Sequence, residues 1–460
     1  MAGIGFVLRR LSRQDTLTAG LRAYAHGAIV SSGPWLFTIM SLGTIDLFGR
    51  AILDPQELRR FLVVVMYNFA FSLVASGPIV MVITRRLADK IYAKDVAEAP
   101  GMFIGSLLLL FTIESALGIP FYGFMTDMQP TERLVAFVGF LIVGGIWVAA
   151  SFISALKSFG TISAAFGVGA LVALVAALVL GAAFGGTGML AGFTIGLAVI
   201  FFGIAARIFA EYPYAVQKPF AFLEDFRRYW ELALIGLLYN AAIWVDKWIM
   251  WLFAPGRVVI AGAMPAHPAY DGAMFLAYLT VVPAMATFLV VVETRFFEHY
   301  VRYYRDIQHH ATAAEIWSNH RTILRVLADG LRKMVVLQGT VCYLAILVAP
   351  GLIGMARGEL EMVPIFRFGV LGALGQVLLL ASMVVISYFD LRRVLLSVSA
   401  VFLVLNTTLT LGGLWLGLGY FGYGYFMAAV LSMVYAYVAV ASRLLRLPYM
   451  TFIANNPGLR

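Results

Sequence analysis

The chain has 460 residues, 62% of them hydrophobic and 12% charged, with 33 Lys and Arg against 24 Asp and Glu. A soluble globular chain carries about 25% charged residues and cannot bury so large an apolar fraction. The proportions exclude a soluble enzyme, a nucleic-acid binder and a disordered protein, and the net charge of +9 is read as a topology signal rather than an affinity for polyanions.

Residues 1–22 place Ile4, Val7, Leu8 and Leu11 opposite Arg9, Arg10 and Arg13, the spacing of a short amphipathic helix on a membrane surface. Its basic residues follow an apolar stretch and no small-residue cleavage site comes after, so it does not read as a removed signal peptide. Twelve apolar runs follow, at 23–49, 60–83, 101–126, 133–157, 160–184, 186–210, 230–254, 272–293, 333–355, 365–388, 393–416 and 421–443. A helix needs roughly 20 such residues to cross a bilayer. The expected fold is therefore all-α: a polytopic membrane protein with twelve transmembrane helices.

An inside N-terminus puts 25 Lys and Arg on the inner side and 7 on the outer side, with Lys247 inside a span. Both termini are then cytoplasmic. Two inner loops are long, 85–100 after the second span and 294–333 after the eighth, the same place in two halves of six. The pattern predicts an N-lobe over 23–210, a cytoplasmic linker at 211–229 and a C-lobe over 230–443 with a cytoplasmic helical insert at 294–332. A tail, 444–460, completes it. Such a 6+6 parallel repeat places a substrate path between its halves. The halves share hydropathy and loop lengths, not residue identities.

No G-x-x-x-x-G-K-[ST] loop or HEXXH pattern occurs, and Cys342 is alone in an apolar run, so neither a disulfide nor a thiolate metal site is expected. His26, His267, His299, His309, His310 and His320 are too dispersed for zinc, and His309, His310 and His320 read as a solvated face. No catalytic residue, metal ligand or cofactor is expected.

The first two spans carry matched elements, Gly33 and Pro34 after Ser31 and Ser32, and Gly77 and Pro78 after Ser76. Proline frees a backbone carbonyl and glycine lets backbones approach, so the pair is either a site of close helix packing or a gate at the inner mouth. Polar residues recur at helical spacing: Ser31, Pro34, Thr38 and Ser41; then Asn68, Ser72 and Ser76; then Gly236, Asn240, Trp244, Lys247 and Trp251. Amides and hydroxyls beside flat aromatic faces suit a pyranose, with its hydroxyls and apolar C–H faces. The competing reading is helix–helix glue and an interfacial aromatic belt.

Charges inside spans are costly, roughly 2.5–3.5 kcal/mol each on insertion scales. Glu114 falls in the middle of the third span, as a proton-coupling or substrate-contacting carboxyl or as the buried partner of Lys247. Asp246 and Lys247 are adjacent and leave their helix about 100° apart, which favours pairing across helices over pairing with each other. Asp46 sits near an outer end, within reach of water. Trp415, Tyr420, Phe421, Tyr423, Tyr425 and Phe426 read as an interfacial belt or an exit platform for sugar. Phe296, Phe297, Tyr300, Tyr303 and Tyr304 among Arg295, Arg302 and Arg305 read as a surface-lying helix or as a docking face for a cytoplasmic partner.

The opening Met1-Ala2-Gly3-Ile4-Gly5-Phe6 with Leu8-Arg9-Arg10, then Ser31-Ser32-Gly33-Pro34-Trp35, then Ala75-Ser76-Gly77-Pro78 with Thr84-Arg85-Arg86, resemble the PelG family. These are inner-membrane components of the bacterial Pel exopolysaccharide machinery, placed in the multidrug/oligosaccharidyl-lipid/polysaccharide superfamily. The likeness extends over the chain in length, span number and motif order. It implies two six-helix lobes in the bacterial inner membrane and export of an N-acetylgalactosamine-rich polymer. It further implies a cytoplasmic glycosyltransferase, a cyclic-di-GMP receptor and a tetratricopeptide-repeat membrane protein as partners. It assigns no functional residue.

The near-absence of Lys and Arg from the spans argues against a pyrophosphate-linked substrate, whose phosphates call for a basic cavity. The sequence thus predicts export of an uncharged or weakly cationic polysaccharide. The alternatives are a lipid-linked oligosaccharide flippase, a drug/cation antiporter or a non-transporting scaffold for a synthase. No nucleic-acid partner is expected.

Overall fold

The structure, a computed structural model, describes residues 37–155, 159–355 and 359–454; Ser31, Gly33, Pro34 and the amphipathic segment 1–22 lie outside the described residues. Ten helices are long and apolar enough to cross a membrane, and a shorter apolar helix, α1 (Phe37–Gly49), precedes them. Among the described residues the strands form one antiparallel hairpin, β1 (Val258–Ile260) paired with β2 (Met264–Ala266).

Packing divides the chain into two units, Gly33–Pro268 and Ala269–Arg460. In the first, α2 (Pro55–Tyr92) is central. It packs against α3 (Ala99–Pro120), α4 (Pro130–Ala155), α5 (Phe159–Glu211) and α7 (Trp230–Phe253), while the short α6 (Leu223–Arg228) precedes α7. The 53-residue α5 covers two of the predicted runs. It breaks at Phe184 and Gly185, where φ is +68°, a left-handed value that glycine alone adopts without strain. The Gly186 N–H beyond the break donates to Glu57 Oε2 at 2.9 Å. Its two arms then touch backbone to backbone: a methyl group at Gly192 would lie 2.3 Å from Ala176 O, and one at Gly196 2.3 Å from Ala173 Cβ.

The helix expected to open the second lobe, α7, packs on α2, and the first packing unit extends to Pro268. Glycine is the reason. Methyl groups at Gly77 and Gly236 would lie 2.6 Å from Gly236 O and 2.3 Å from Gly77 O, so α2 and α7 cross where neither has a side chain. The linker itself is laid as a strap on α3: Gly101 and Gly105 face Gln217 O and Pro219 O, which a methyl group would approach to 1.8 and 1.7 Å. Overpacking a tight contact costs typically 1–3 kcal/mol. Gly101→Leu should therefore lower the detergent-solubilised melting temperature by several degrees, whereas Gly123→Ala, with nothing within 4 Å, should leave it unchanged. Equal melting of the two variants would show that the strap does not press on α3.

In the second unit α8 (Pro268–Leu279) and α9 (Val282–Val290) form one apolar stretch interrupted at Thr280 and Val281. Gln338, fully buried on α11 (Ala313–Met355), donates to Thr280 O at 2.9 Å. Next, α12 (Met362–Tyr388) packs on α11 and α14 (Tyr423–Leu445), and α13 (Arg392–Leu416) packs on α14. Of the aromatics at the predicted belt, Trp415 and Tyr420 are exposed, while Phe421 and Tyr425 are buried and the Tyr425 hydroxyl donates to Gln376 Oε1.

The aromatic–basic stretch differs from its expected form. In α10 (Phe297–Gln308) Tyr303, like Phe296 just before it, is fully buried against Ile316 and Ile323 of α11, and Tyr300 donates to Tyr388 O at 2.9 Å. Those rings are core, not a lipid-facing or docking surface, because α10 folds back along α11 and buries its apolar stripe there. His320 is corrected likewise: it is 3% exposed, with Nε2 2.8 Å from Leu444 O, so it is no part of a solvated face.

Candidate functional site

The first unit gathers the intramembrane polar groups. On α3, Glu114 is wholly buried, and among the described residues neither carboxyl oxygen has a hydrogen-bond partner. Room for it comes from α4, where a methyl group at Gly144 would sit 2.0 Å from Glu114 Oε1. An ionised carboxylate in that surrounding would be an uncompensated charge.

Lys247 does not reach Glu114. Its Nζ lies 3.0 Å from Asp246 Oδ2, 3.2 Å from Oδ1 and 3.2 Å from Ile243 O, and 5.6 Å from the centroid of the Trp244 ring. The expectation that adjacent residues diverge holds for the first bond of each side chain. The four-carbon lysine stem folds back along the helix and overrides it, giving a buried pair with carboxylate and ammonium 0% and 7% exposed.

Around this pair runs a bank of rings on the facing sides of α2 and α7. Tyr67 stacks between Trp251, 5.0 Å away and inclined 11°, and Phe121, 6.0 Å away and inclined 10°. One turn on, Phe71 stacks on Trp248 at 5.5 Å and 6°. The Tyr67 hydroxyl donates to Pro265 O on β2 at 2.6 Å, which ties the bank to the hairpin. Among the described residues the indole nitrogens of Trp244 and Trp248 have no acceptor. Asn240 Nδ2 donates to Leu73 O at 2.9 Å, fixing α7 on α2 beside the Gly77–Gly236 crossing.

The Asn68–Ser72 row lies on another face of α2. Asn68 Oδ1 accepts from the Tyr122 hydroxyl at 2.6 Å, and its Nδ2 donates to Ala136 O at 3.1 Å. Ser72 accepts from Trp147 Nε1 at 3.2 Å. These groups stitch α2 to α4 and to the π-turn Phe121–Met125, and a small cleft beside Asn68 is bounded by Gly139, Phe193 and Thr194. The structure therefore separates residues that the sequence grouped as one lining. Thr38 is half-buried on α1. Asp46 pairs with Arg50 at 2.7 Å, both side chains partly exposed. Gly77 and Pro78 lie at the α2–α7 crossing, where Gly77 acts by close packing.

Sequence reasoning missed Tyr67, Phe71 and Trp248. Each of the two α2 rings immediately precedes a residue of the Asn68–Ser72 row, so the signal was an aromatic row one residue out of step with the polar row.

At the end of α2 where Arg85, Arg86 and Lys90 gather, Glu98 accepts from Arg86 at 3.1 Å, Lys90 at 3.1 Å and Lys218 at 3.4 Å. Lys90 foremost, then Arg86 and Lys218, holds its carboxyl down at about 2. Arg86 also pairs with Asp225 and donates to Ala221 O at 3.1 Å, and the Tyr229 hydroxyl donates to Asp89 at 2.8 Å. Together these contacts anchor the linker to the first unit.

The profile of the family described as "PelG: Putative exopolysaccharide Exporter (EPS-E)" matches residues 1–452. No curated protein sequence matches the chain. Among solved structures, an outward-facing multidrug resistance MATE family transporter of the MOP superfamily superposes with a TM-score of 0.65 at 14% identity, covering 98% of this chain and 99% of that one. A MOP superfamily transporter from Pyrococcus furiosus gives 0.64 at 14% identity, with 92% and 96% covered. An inward-facing MATE family transporter gives 0.63 at 13%, with 92% and 99% covered. At these identities the likeness is one of fold, and the chain has the polytopic helical fold of MATE transporters.

Proposed function

The chain belongs to the PelG family of exopolysaccharide exporters, membrane transporters and not enzymes, and from that premise we propose that it carries an uncharged or weakly cationic polysaccharide across the bacterial inner membrane. An N-acetylgalactosamine-rich polymer is the substrate of this reading, with a glycosyltransferase and other membrane proteins of the same machinery as partners. Twelve crossings and cytoplasmic termini complete it.

The observation that carries the substrate class is the α2–α7 ring bank beside a buried, net-neutral Asp246–Lys247 pair. Sugar C–H faces pack on Trp and Tyr rings, and the buried indole N–H groups of Trp244 and Trp248, without an acceptor among the described residues, suit sugar hydroxyls or amide carbonyls once the ring bank parts. A pyrophosphate would instead demand unpaired cations, and here the lysine is already neutralised. Glu114 is the proton carrier of this reading, and Asn240 and Trp244 belong to the lining.

Reconstitution tests it. Vesicles containing the protein should take up a labelled neutral polysaccharide under an imposed proton gradient, and Trp244→Ala with Trp248→Ala should reduce entry several-fold without loss of folded protein. Uptake of a pyrophosphate-linked oligosaccharide with no uptake of free polymer would replace this reading by a flippase.

A further inference from the structure

Between α7 and α8 the chain runs through 254–267 as a hairpin whose strands, β1 and β2, have three residues each. A two-stranded ribbon that short does not hold its form alone in water, so its form comes from what it lies on. Met264 and Ala266 of β2 and Ala261 at the tip are buried, while Val259 of β1 faces outward, 58% exposed. The underside joins the core of the first unit, in one cluster with Tyr67, Tyr122, Met128 and Trp251.

Two hydrogen bonds fasten it, and both lead to the stacked rings. The Tyr67 hydroxyl, in the middle of the Trp251–Tyr67–Phe121 stack, donates to Pro265 O at 2.6 Å. The Asp127 N–H, just past the Phe121–Met125 turn, donates to Ala261 O at 3.1 Å. The hairpin thus holds Tyr67 directly and Phe121 through the turn that carries it.

The grip is slight, and the stem is able to turn. Of the three side chains buried beneath the hairpin, only Met264 is large. The tip sets two successive residues left-handed, Ala261 at φ +51° and Gly262 at +73°, a conformation that a residue with a Cβ adopts at some cost. At the base His267 Nε2 lies 3.0 Å from Pro255 O, which keeps the two stems together, and Gly256, at φ +82°, supplies a pivot. Water is able to replace both fastening bonds when the hairpin rises, so no buried polar group is stranded. Two residues past β2, Pro268 opens α8 and the first packing unit ends. Any displacement of α8 is therefore transmitted along the chain to the hairpin.

We propose that this hairpin is a lid on the ring bank. Seated, it keeps Tyr67 stacked and the bank shut; lifted about Gly256, it releases the Tyr67 hydroxyl and opens the bank to a sugar. Tyr229, at the start of α7, bonds Asp89 near the basic end of α2, whereas Tyr67 and Trp251 meet at the opposite ends of the two helices. The lid therefore opens on the side away from Arg85, Arg86 and Lys90. For its occupant, the lid rests on the polysaccharide reading above.

The lid can be pinned. A methyl group at Gly262 would stand 3.4 Å from Asp127 Cβ, close to the roughly 3.5–4.5 Å that separates the Cβ atoms of a disulfide. Lifting is read without any sugar, as the rate at which a maleimide labels Met264→Cys in nanodiscs, resolved by peptide mass so that Cys342 does not interfere. Tyr67→Phe should raise that rate about fivefold, as the loss of one hydrogen bond implies, and oxidised Asp127→Cys with Gly262→Cys should suppress it. In vesicles the oxidised pair should take up no polymer under a proton gradient, and dithiothreitol should restore uptake, which shows that the pair itself folds. Because the labelling needs no substrate, it judges the lid separately from the polysaccharide reading. Labelling of Met264→Cys indifferent to Tyr67→Phe or to the oxidised pair, or full uptake with the pair oxidised, would each overturn the proposal.

Discussion

Glu114→Gln should abolish proton-driven polymer uptake while the protein inserts, accumulates and melts nearly as before. The amide keeps the volume and leaves the carboxyl's place beside Gly144 filled, but it cannot give up a proton. Because Glu114 has no hydrogen-bond partner among the described residues, no pair is broken by the change. The stability loss is confined to burying an unsatisfied amide, about 1–3 kcal/mol. Gly144→Ala approaches the same carboxyl from the other helix: its methyl group would stand 2.0 Å from Oε1, so the acid must move and uptake should fall with it. The checks are uptake of labelled polymer into vesicles and proton release read by an entrapped dye. Full uptake by Glu114→Gln under a proton gradient would remove this residue from coupling.

Lys247→Met should cost far more in folded protein than Glu114→Gln. It leaves Asp246, wholly buried, facing its former partner's space, and breaking a buried pair from one side costs ~3–5 kcal/mol. Asp246→Asn added to Lys247→Met should recover most of the lost abundance, since a neutral pair carries no uncompensated charge. Measured as detergent-solubilised yield and melting temperature, the two single variants and the double form a cycle with a large favourable coupling. Additive losses would show that the two charges are supported by separate surroundings.

The apolar runs predicted where the helices lie, because burial in lipid imposes hydropathy on every turn. Even the split at 184–186 was legible: the two apolar runs meet at a break at Phe184 and Gly185, and the helical arms on either side of it pack against each other. Periodicity could say that Asn68 and Ser72 share a face but not what that face meets, and it meets α4. The neighbouring row, Tyr67 and Phe71, turned out to be the one facing α7. Angular spacing failed for Asp246 and Lys247, because it describes where a side chain leaves the helix and not where a flexible stem ends. His320 failed for another reason: polarity marked it as part of a solvated face, whereas α10 and α11 share a core with Tyr388, Phe389 and Leu447 that only tertiary packing reveals.

The strap across α3 has a consequence for how this chain tolerates change. Gln217 and Pro219 present carbonyl oxygens to Gly101 and Gly105, while the Gln217 side chain is exposed. Recognition there is between main chain and main chain, so it is blind to side-chain identity and sensitive to chain length. Homologues could drift freely in composition at Gln217 with little effect, yet a single inserted or deleted residue between Tyr212 and Ala221 would carry the carbonyls out of register with their glycines. Selection on this segment is then expected to act on its length before its letters.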